Sequence, residues 1–208
     1  MPVASSVATS AAQALAAPRT LASTGLPLGR RSPKGRERWY LAHVPEGREQ
    51  ASCEKLLQLI GPDLLSDAFV MRKERWFKRG GGTWQLELVP MYPGYFFVVS
   101  RDVCGLRQAL ARLTFPVQLA GADDYGCPPL SEDARSWFAS SMDEGHILRN
   151  SVAVIEGGAL RVQSGPLVGQ EERVVKLNRH HRRCQVRVCE SHGSSFTESM
   201  PLAVPLKS

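Results

Sequence analysis

Apolar residues in this chain follow two spacings, one helical and one alternating, and together they lay out a sequence of short elements. Arg38 to Val44 alternates as a strand and is closed by Pro45. Cys53, Leu56, Leu57 and Ile60 recur at i, i+3, i+4 and i+7, which predicts a helix with one apolar face, stopped by Gly61-Pro62. Phe69 to Phe77 and Trp84 to Val89 flank Gly80-Gly81-Gly82 and predict a long hairpin. Tyr95 to Ser100, entered through Pro93-Gly94, is an aromatic and β-branched run suited to a central strand. Asp102 is placed to cap a second helix carrying Val103, Leu106, Leu110 and Leu113, and Phe115 to Leu119 reads as a short strand. Ser131-Glu132-Asp133 opens a third helix that turns Ala134, Trp137 and Phe138 to a core.

The order β-α-β-β-β-α-β-α over residues 38–142 predicts an α/β sandwich with a mainly antiparallel sheet. Residues 143–151 are polar and read as a linker. Beyond them Val152 to Ile155, Leu160 to Gln163, Arg173 to Leu177 and Arg183 to Cys189 are short strands parted by glycine or charged turns, the pattern of a small β-barrel over 152–208. The fold class is therefore α+β in two domains. Residues 1–37 read as a disordered basic extension: positions 1–36 hold no acidic residue and little that could form a core. Met1 to Ala17 has no charged side chain, so the basic start of a secretory signal is missing, and no amphipathic Arg-bearing helix of a transit peptide is visible. A misassigned start codon would also produce such a stretch.

The 208 residues carry a net charge of +6, which favours an acidic partner, nucleic acid being the usual one; a basic but inert surface is the alternative. No apolar stretch is long enough to span a bilayer. Cys53, Cys104, Cys127, Cys184 and Cys189 are odd in number and irregularly spaced, which fits free thiols in a reducing cytoplasm rather than a disulfide framework. His180, His181, Cys184, Cys189 and His192 crowd together, yet a strand from 184 to 189 would turn its two cysteines to opposite faces and no C-x-x-C knuckle is present. No metal site and no cofactor is expected. Nucleophile elbows, phosphate loops and His-Glu-x-x-His helices are absent, so the sequence does not read as an enzyme.

Three separated segments carry a resemblance: Trp39-Tyr40 with Gly47-Arg48-Glu49, Pro93-Gly94-Tyr95 with Pro129-Leu130, and Gly165-Pro166-Leu167 through Glu171. In this order they resemble the NusG family of transcription elongation factors, in which an N-terminal domain precedes a KOW module. The Gly165 to Glu171 segment, followed by Lys176-Leu177-Asn178-Arg179-His180 and Arg182, resembles specialised antiterminators of the LoaP type more than housekeeping NusG. The resemblance implies a five-stranded SH3-like barrel for the second domain, with Gly165 and Pro166 as its structural signature.

Candidate functional residues form two sets. Along Tyr95 to Val99, Tyr95, Phe97 and Val99 share one sheet face and Phe96 and Val98 the other. Helices need cover only one, leaving an aromatic face for a partner, joined by Trp39 or Tyr40, Tyr92 and Pro93; a sheet covered on both faces is the alternative. By resemblance this face, through Tyr92, Pro93, Tyr95 and Phe97, docks on the clamp helices of the largest RNA polymerase subunit, with His43 where some relatives carry an aromatic. The second set is basic. Arg72, Arg75, Lys78 and Arg79 interleave with Trp76 and Phe77 near the glycine-rich tip, and Arg179, His180, Arg182 and Arg183 crowd a turn of the second domain. Cations attract phosphate and rings stack on unpaired bases, although a solvated hairpin and an ordinary charged turn would read the same way.

The expected function is a monomeric, cytoplasmic factor that binds RNA polymerase through its first domain and suppresses pausing or termination. Its KOW domain would bind a nascent RNA hairpin, a ribosomal protein or a termination factor, and its first domain would lie near non-template DNA. A ribosome-associated KOW RNA-binding protein is the alternative. Deleting residues 1–36 is expected to leave the thermal melting midpoint and antitermination unchanged; a marked loss of either would show that the extension docks or targets.

Overall fold

The computed structural model describes residues 35–122, 127–191 and 194–205. Its elements in chain order are β1 (Arg38–His43), α1 (Glu49–Leu59), β2 (Asp67–Phe69), β3 (Arg72–Lys78), β4 (Trp84–Pro90), β5 (Tyr95–Ser100), α2 (Val103–Leu110), β6 (Gln118–Leu119), α3 (Glu132–Ser141), β7 (Ile147–Leu148), β8 (Ser151–Glu156), β9 (Ala159–Ser164), a 3-10 turn (Glu171–Arg173), β10 (Val174–Asn178), β11 (Arg183–Ser191) and β12 (Ser194–Ala203). Contacts group them into two units, Met1–Val70 with Tyr92–Glu132 and Met71–Met91 with Asp133–Ser208. The expected extension 1–37 lies outside the described residues except for positions 35–37, which form no regular element.

In the first unit a four-stranded antiparallel sheet runs β2-β5-β1-β6. Strand alternation sends Tyr40, Ala42, Ala68, Phe96 and Val98 to one face, where they pack with Cys53, Leu56 and Ile60 near or on α1 and with Leu106 and Leu110 of α2. Asp102 caps α2 as its sequence position suggests, its Oδ1 accepting from the Gly105 N–H at 2.9 Å. The face of α1 differs from expectation: Glu49, Ser52, Cys53 and Leu56 are buried, while Leu57 is 45% exposed. Burial of Glu49 and Ser52 swings the helix away from the side that Leu57 occupies.

Glu49 is buried because it has a task. Its Oε1 accepts the Gly94 N–H at 2.5 Å, and Gly94 sits at φ +79°, where a Cβ would stand 3.2 Å from the Val44 carbonyl oxygen. The Val44 N–H in turn donates to the Gly94 carbonyl at 2.9 Å. The Pro-Gly turn is thus fixed from both sides, and only glycine fits it without strain.

The run from Phe69 to Phe77, read as one strand, breaks in two. Phe69 ends β2 in the first unit's sheet, and Arg72 begins β3 in a separate three-stranded sheet of order β4-β3-β7. Likewise only Gln118 and Leu119 of the expected strand from Phe115 are paired. The expected linker, 143–151, is built into the second unit. Its β7 pairs in parallel with β3, Asp143 Oδ1 accepts from the Gly145 and Ile147 N–H groups, and the Asn150 N–H donates to Glu74 at 2.6 Å. Partial burial works against the Asp143 charge, but the Ile147 N–H and the Arg149 guanidinium outweigh it and hold the carboxyl below its usual range.

Five strands make the remaining sheet of the second unit, in the order β10-β11-β12-β8-β9. Strand β12 was not visible in the sequence pattern; it pairs antiparallel with β11 and in parallel with β8. Gly165 at φ +95° lets the chain pass Asn150 and Ser151 so closely that a Cβ would lie 2.7 Å from the Asn150 carbonyl oxygen. The Leu167 N–H then reaches Ser151 Oγ at 3.2 Å, so Gly165-Pro166 packs against the start of β8.

All five cysteines are free, Cys104 exposed and the others buried, and no cluster of possible metal ligands occurs among the described residues; His192 lies outside them. No helix among the described residues is long and apolar enough to cross a membrane. Burial pushes the Cys184 thiol up to about 12, and burial with the nearby Asp67 and Glu54 carboxylates does the same to Cys53. Because the thiolate is the reacting species, a disulfide reagent at pH 8 should label Cys104 in the native protein well before Cys53 or Cys184, with all five reacting in denaturant. Mass mapping of the labelled peptides checks this, and prompt native labelling of Cys184 would contradict it.

Candidate functional site

The aromatic set lies on the face of the first sheet opposite the helices. Cross-strand pairing puts His43 beside Tyr95, Leu41 beside Phe97, and Phe69 beside Phe97 from the other side. Phe69 and Phe97 stack at 5.4 Å, Trp39 meets both edge-on at 5.1 and 5.9 Å, Tyr92 lies 6.2 Å from Phe97, and His43 tilts on Tyr95 at 4.9 Å. Such pairs add to the apolar burial they accompany. This layer is not an open depression. Phe97 is 1% exposed, Tyr92 and Tyr95 are also buried, and the accessible part is confined to half-buried Trp39, His43 and Pro93. Tyr40, an alternative to Trp39 in the sequence, faces the helical core instead; burial raises its hydroxyl pKa.

Two sequence segments far apart in the chain meet at each end of this layer. Glu49 of Gly47-Arg48-Glu49 holds Gly94 of Pro93-Gly94-Tyr95, and the Leu130 N–H of Pro129-Leu130 donates to the Trp39 carbonyl at 2.7 Å.

The basic set converges in the second unit. Sheet register places Lys78 opposite Trp84 and Trp76 opposite Leu86, so Trp76, Lys78 and Trp84 share one face of the β3–β4 hairpin. The Arg182 guanidinium lies 4.6 Å from the Trp76 ring and 5.4 Å from the Trp84 ring. Both sides of that stack are fixed. Trp76 Nε1 donates to Asn150 Oδ1 at 2.8 Å; Arg182, at φ +48°, donates its N–H to the Arg179 carbonyl and accepts from the Leu202 N–H. Nearby Lys73 Nζ pairs with Glu198 at 2.8 Å and donates to the Ser199 carbonyl. A groove of about 310 Å³ runs along this junction, lined in part by Arg75, Lys78, Arg183 and His181 together with the Trp76–Arg182–Trp84 stack.

Not every basic candidate reaches the groove. Arg79 is drawn to Glu87 and to Gln85 Oε1, Arg72 is half-buried beside β7, and Arg179 and His180 are exposed on the turn but outside the lining. Sequence reasoning overlooked Trp84 and Asn150, and it did not anticipate that Glu198 would hold Lys73. Counting back across the hairpin from Gly81 would have paired Trp84 with Lys78, whereas the distant Asn150 and Glu198 partners leave no local signal.

No family model matches the chain, and no curated protein matches it. Among solved structures it is similar to one described as "Domain interaction in Thermotoga maritima NusG", at 14% identity, covering 81% of this chain and 94% of that chain, with a TM-score of 0.46.

Replacing Glu49 by Ala should strip the buried Gly94 N–H of its acceptor and destabilise the protein by about 1–3 kcal/mol. Urea unfolding of Glu49→Ala against the parent measures this; an unchanged midpoint would mean that the turn holds without the carboxylate.

Proposed function

We propose that this chain is a non-enzymatic transcription elongation factor that binds RNA polymerase through the aromatic face of its first unit. The observation that carries the reading is the pairwise joining of the family-like segments. Glu49 to Gly94 and Leu130 to Trp39 each tie two of them together, around the layer that would meet the polymerase. Residues that look like unrelated punctuation in the sequence therefore share one construction around one surface.

The contact would begin at the accessible rim of Trp39, His43 and Pro93, with Tyr95 behind His43, and would fall on the clamp helices of the largest subunit. A factor that binds the closed clamp better than the open one shifts the population toward the closed, processive state in proportion to that difference. Suppression of pausing or termination follows. On this reading the protein is a specialised antiterminator acting as a cytoplasmic monomer, with its KOW unit engaging RNA or a second protein.

Phe97 is a poor probe, because its truncation would damage the core. His43→Ala with Tyr95→Ala, checked for an unchanged circular dichroism spectrum, should weaken capture of core RNA polymerase by at least about 2 kcal/mol, the usual loss at an aromatic anchor. Full capture by the folded variant would remove the assignment, and co-sedimentation with ribosomes in place of polymerase would favour the ribosome-associated alternative.

A further inference from the structure

The hairpin and the basic turn, separate candidates in the sequence, are two walls of one groove. We propose that this groove binds an unpaired nucleic-acid strand, with bases on the Trp76–Arg182–Trp84 layer and phosphates on Lys78 and Arg183. The inference extends the reading that the second unit engages RNA. It does not depend on polymerase binding, since it is tested with protein and oligonucleotide alone.

Charge argues first. Lys73, Arg75, Lys78, Arg182 and Arg183 line the groove against Glu74 as its acid, and Glu74 is already engaged by Arg149 and the Asn150 N–H. Lys73 is held by Glu198. No carboxylate pairs with Lys78 or Arg183 among the described residues, so these two cations keep their field for a ligand. Arg75 stacks on Phe77 at 5.0 Å, and the register sets both on the hairpin face opposite Trp76 and Lys78, so Arg75 is not counted among the phosphate contacts.

Shape and chemistry argue next. A guanidinium plane flanked by two indoles is a surface on which a flat heterocycle can stack whatever its identity, and cations beside aromatics are how sequence-tolerant single-strand sites are made. The volume of about 310 Å³ is at the small end of ligand sites, roughly 300–1,000 Å³, so the groove admits an individual base rather than a paired helix. Pre-organisation argues last. The Trp76 indole is held by Asn150, and the Arg182 backbone by the Arg179 carbonyl and the Leu202 N–H, so the indole and the turn that presents the guanidinium are in place before binding. A purely structural Arg–Trp clasp would account for the stack but not for two unneutralised cations, Lys78 and Arg183, in the same groove.

The test is fluorescence anisotropy of the full chain with a short labelled single-stranded RNA, a DNA of the same sequence, and the duplex of each, over a salt series. The single strands should bind more tightly than the duplexes. Lys78→Gln on the hairpin and Arg183→Gln on the loop should each lower the magnitude of the log-affinity against log-salt slope by about 0.7. Trp84→Ala should weaken binding roughly fivefold or more without changing the salt slope, and Trp84→Phe should restore most of it. Preference for RNA would name a transcript as the source and preference for DNA an opened duplex; either supports the site. Equal binding of duplex and single strand, a slope change from one wall alone, or an unaltered affinity in folded Trp84→Ala would overturn it.

Discussion

Strand β5 is buried on both faces along its whole length, from Tyr95 to Ser100, and the first unit is organised by that constraint. A strand with no solvent side must be given a helical layer on one face and something equally apolar on the other. Phe96 and Val98 meet the helices, and Phe97 meets an aromatic layer of Trp39, Phe69 and Tyr92. The turn that delivers the chain into β5 has to be correspondingly exact. A glycine in the left-handed region and a buried carboxylate on its N–H supply that accuracy, and the helix carrying Glu49 is rotated to make it possible.

The same economy of partners explains why hairpin β3–β4 groups with the residues from Asp133 onward rather than with the segments on either side of it in sequence. Its polar and aromatic side chains find Asn150, Arg182, Glu198 and the strand β7 there. Trp76 and Lys73 lie on opposite faces of strand β3, yet both are satisfied within this unit. A ribbon held at several points is a rigid wall, and a rigid wall is what lets two modest clusters of charge act as one surface.

Burial also redistributes chemistry. Cys53 and Cys184 are made inert by the desolvation that makes them good core residues, while Cys104 stays exposed on α2. Arg79, the most prominent cation at the hairpin tip, pairs with Glu87, whereas less conspicuous Lys78 has no carboxylate partner among the described residues.

The sequence by itself determined the elements whose signals are local: the cap at Asp102, the alternation of β1 and β5, the hairpin around Gly80 to Gly82, and the turn at Pro93-Gly94. Periodicity could not see β12, whose Ser194 to Ala203 run is too polar to announce a strand and is held by its neighbours β11 and β8. Nor could it see that polar residues 143–151 would be ordered, because their order comes from Glu74 and from pairing with β3. Only the tertiary structure decided that Trp39 and not Tyr40 joins the aromatic layer, that this layer is largely closed, and that Arg182 lies over Trp76 and Trp84. The reason is common to all three. Which side of a strand meets solvent, and which distant cation meets an exposed ring, are set by long-range contacts that leave no trace in the spacing of residues along the chain.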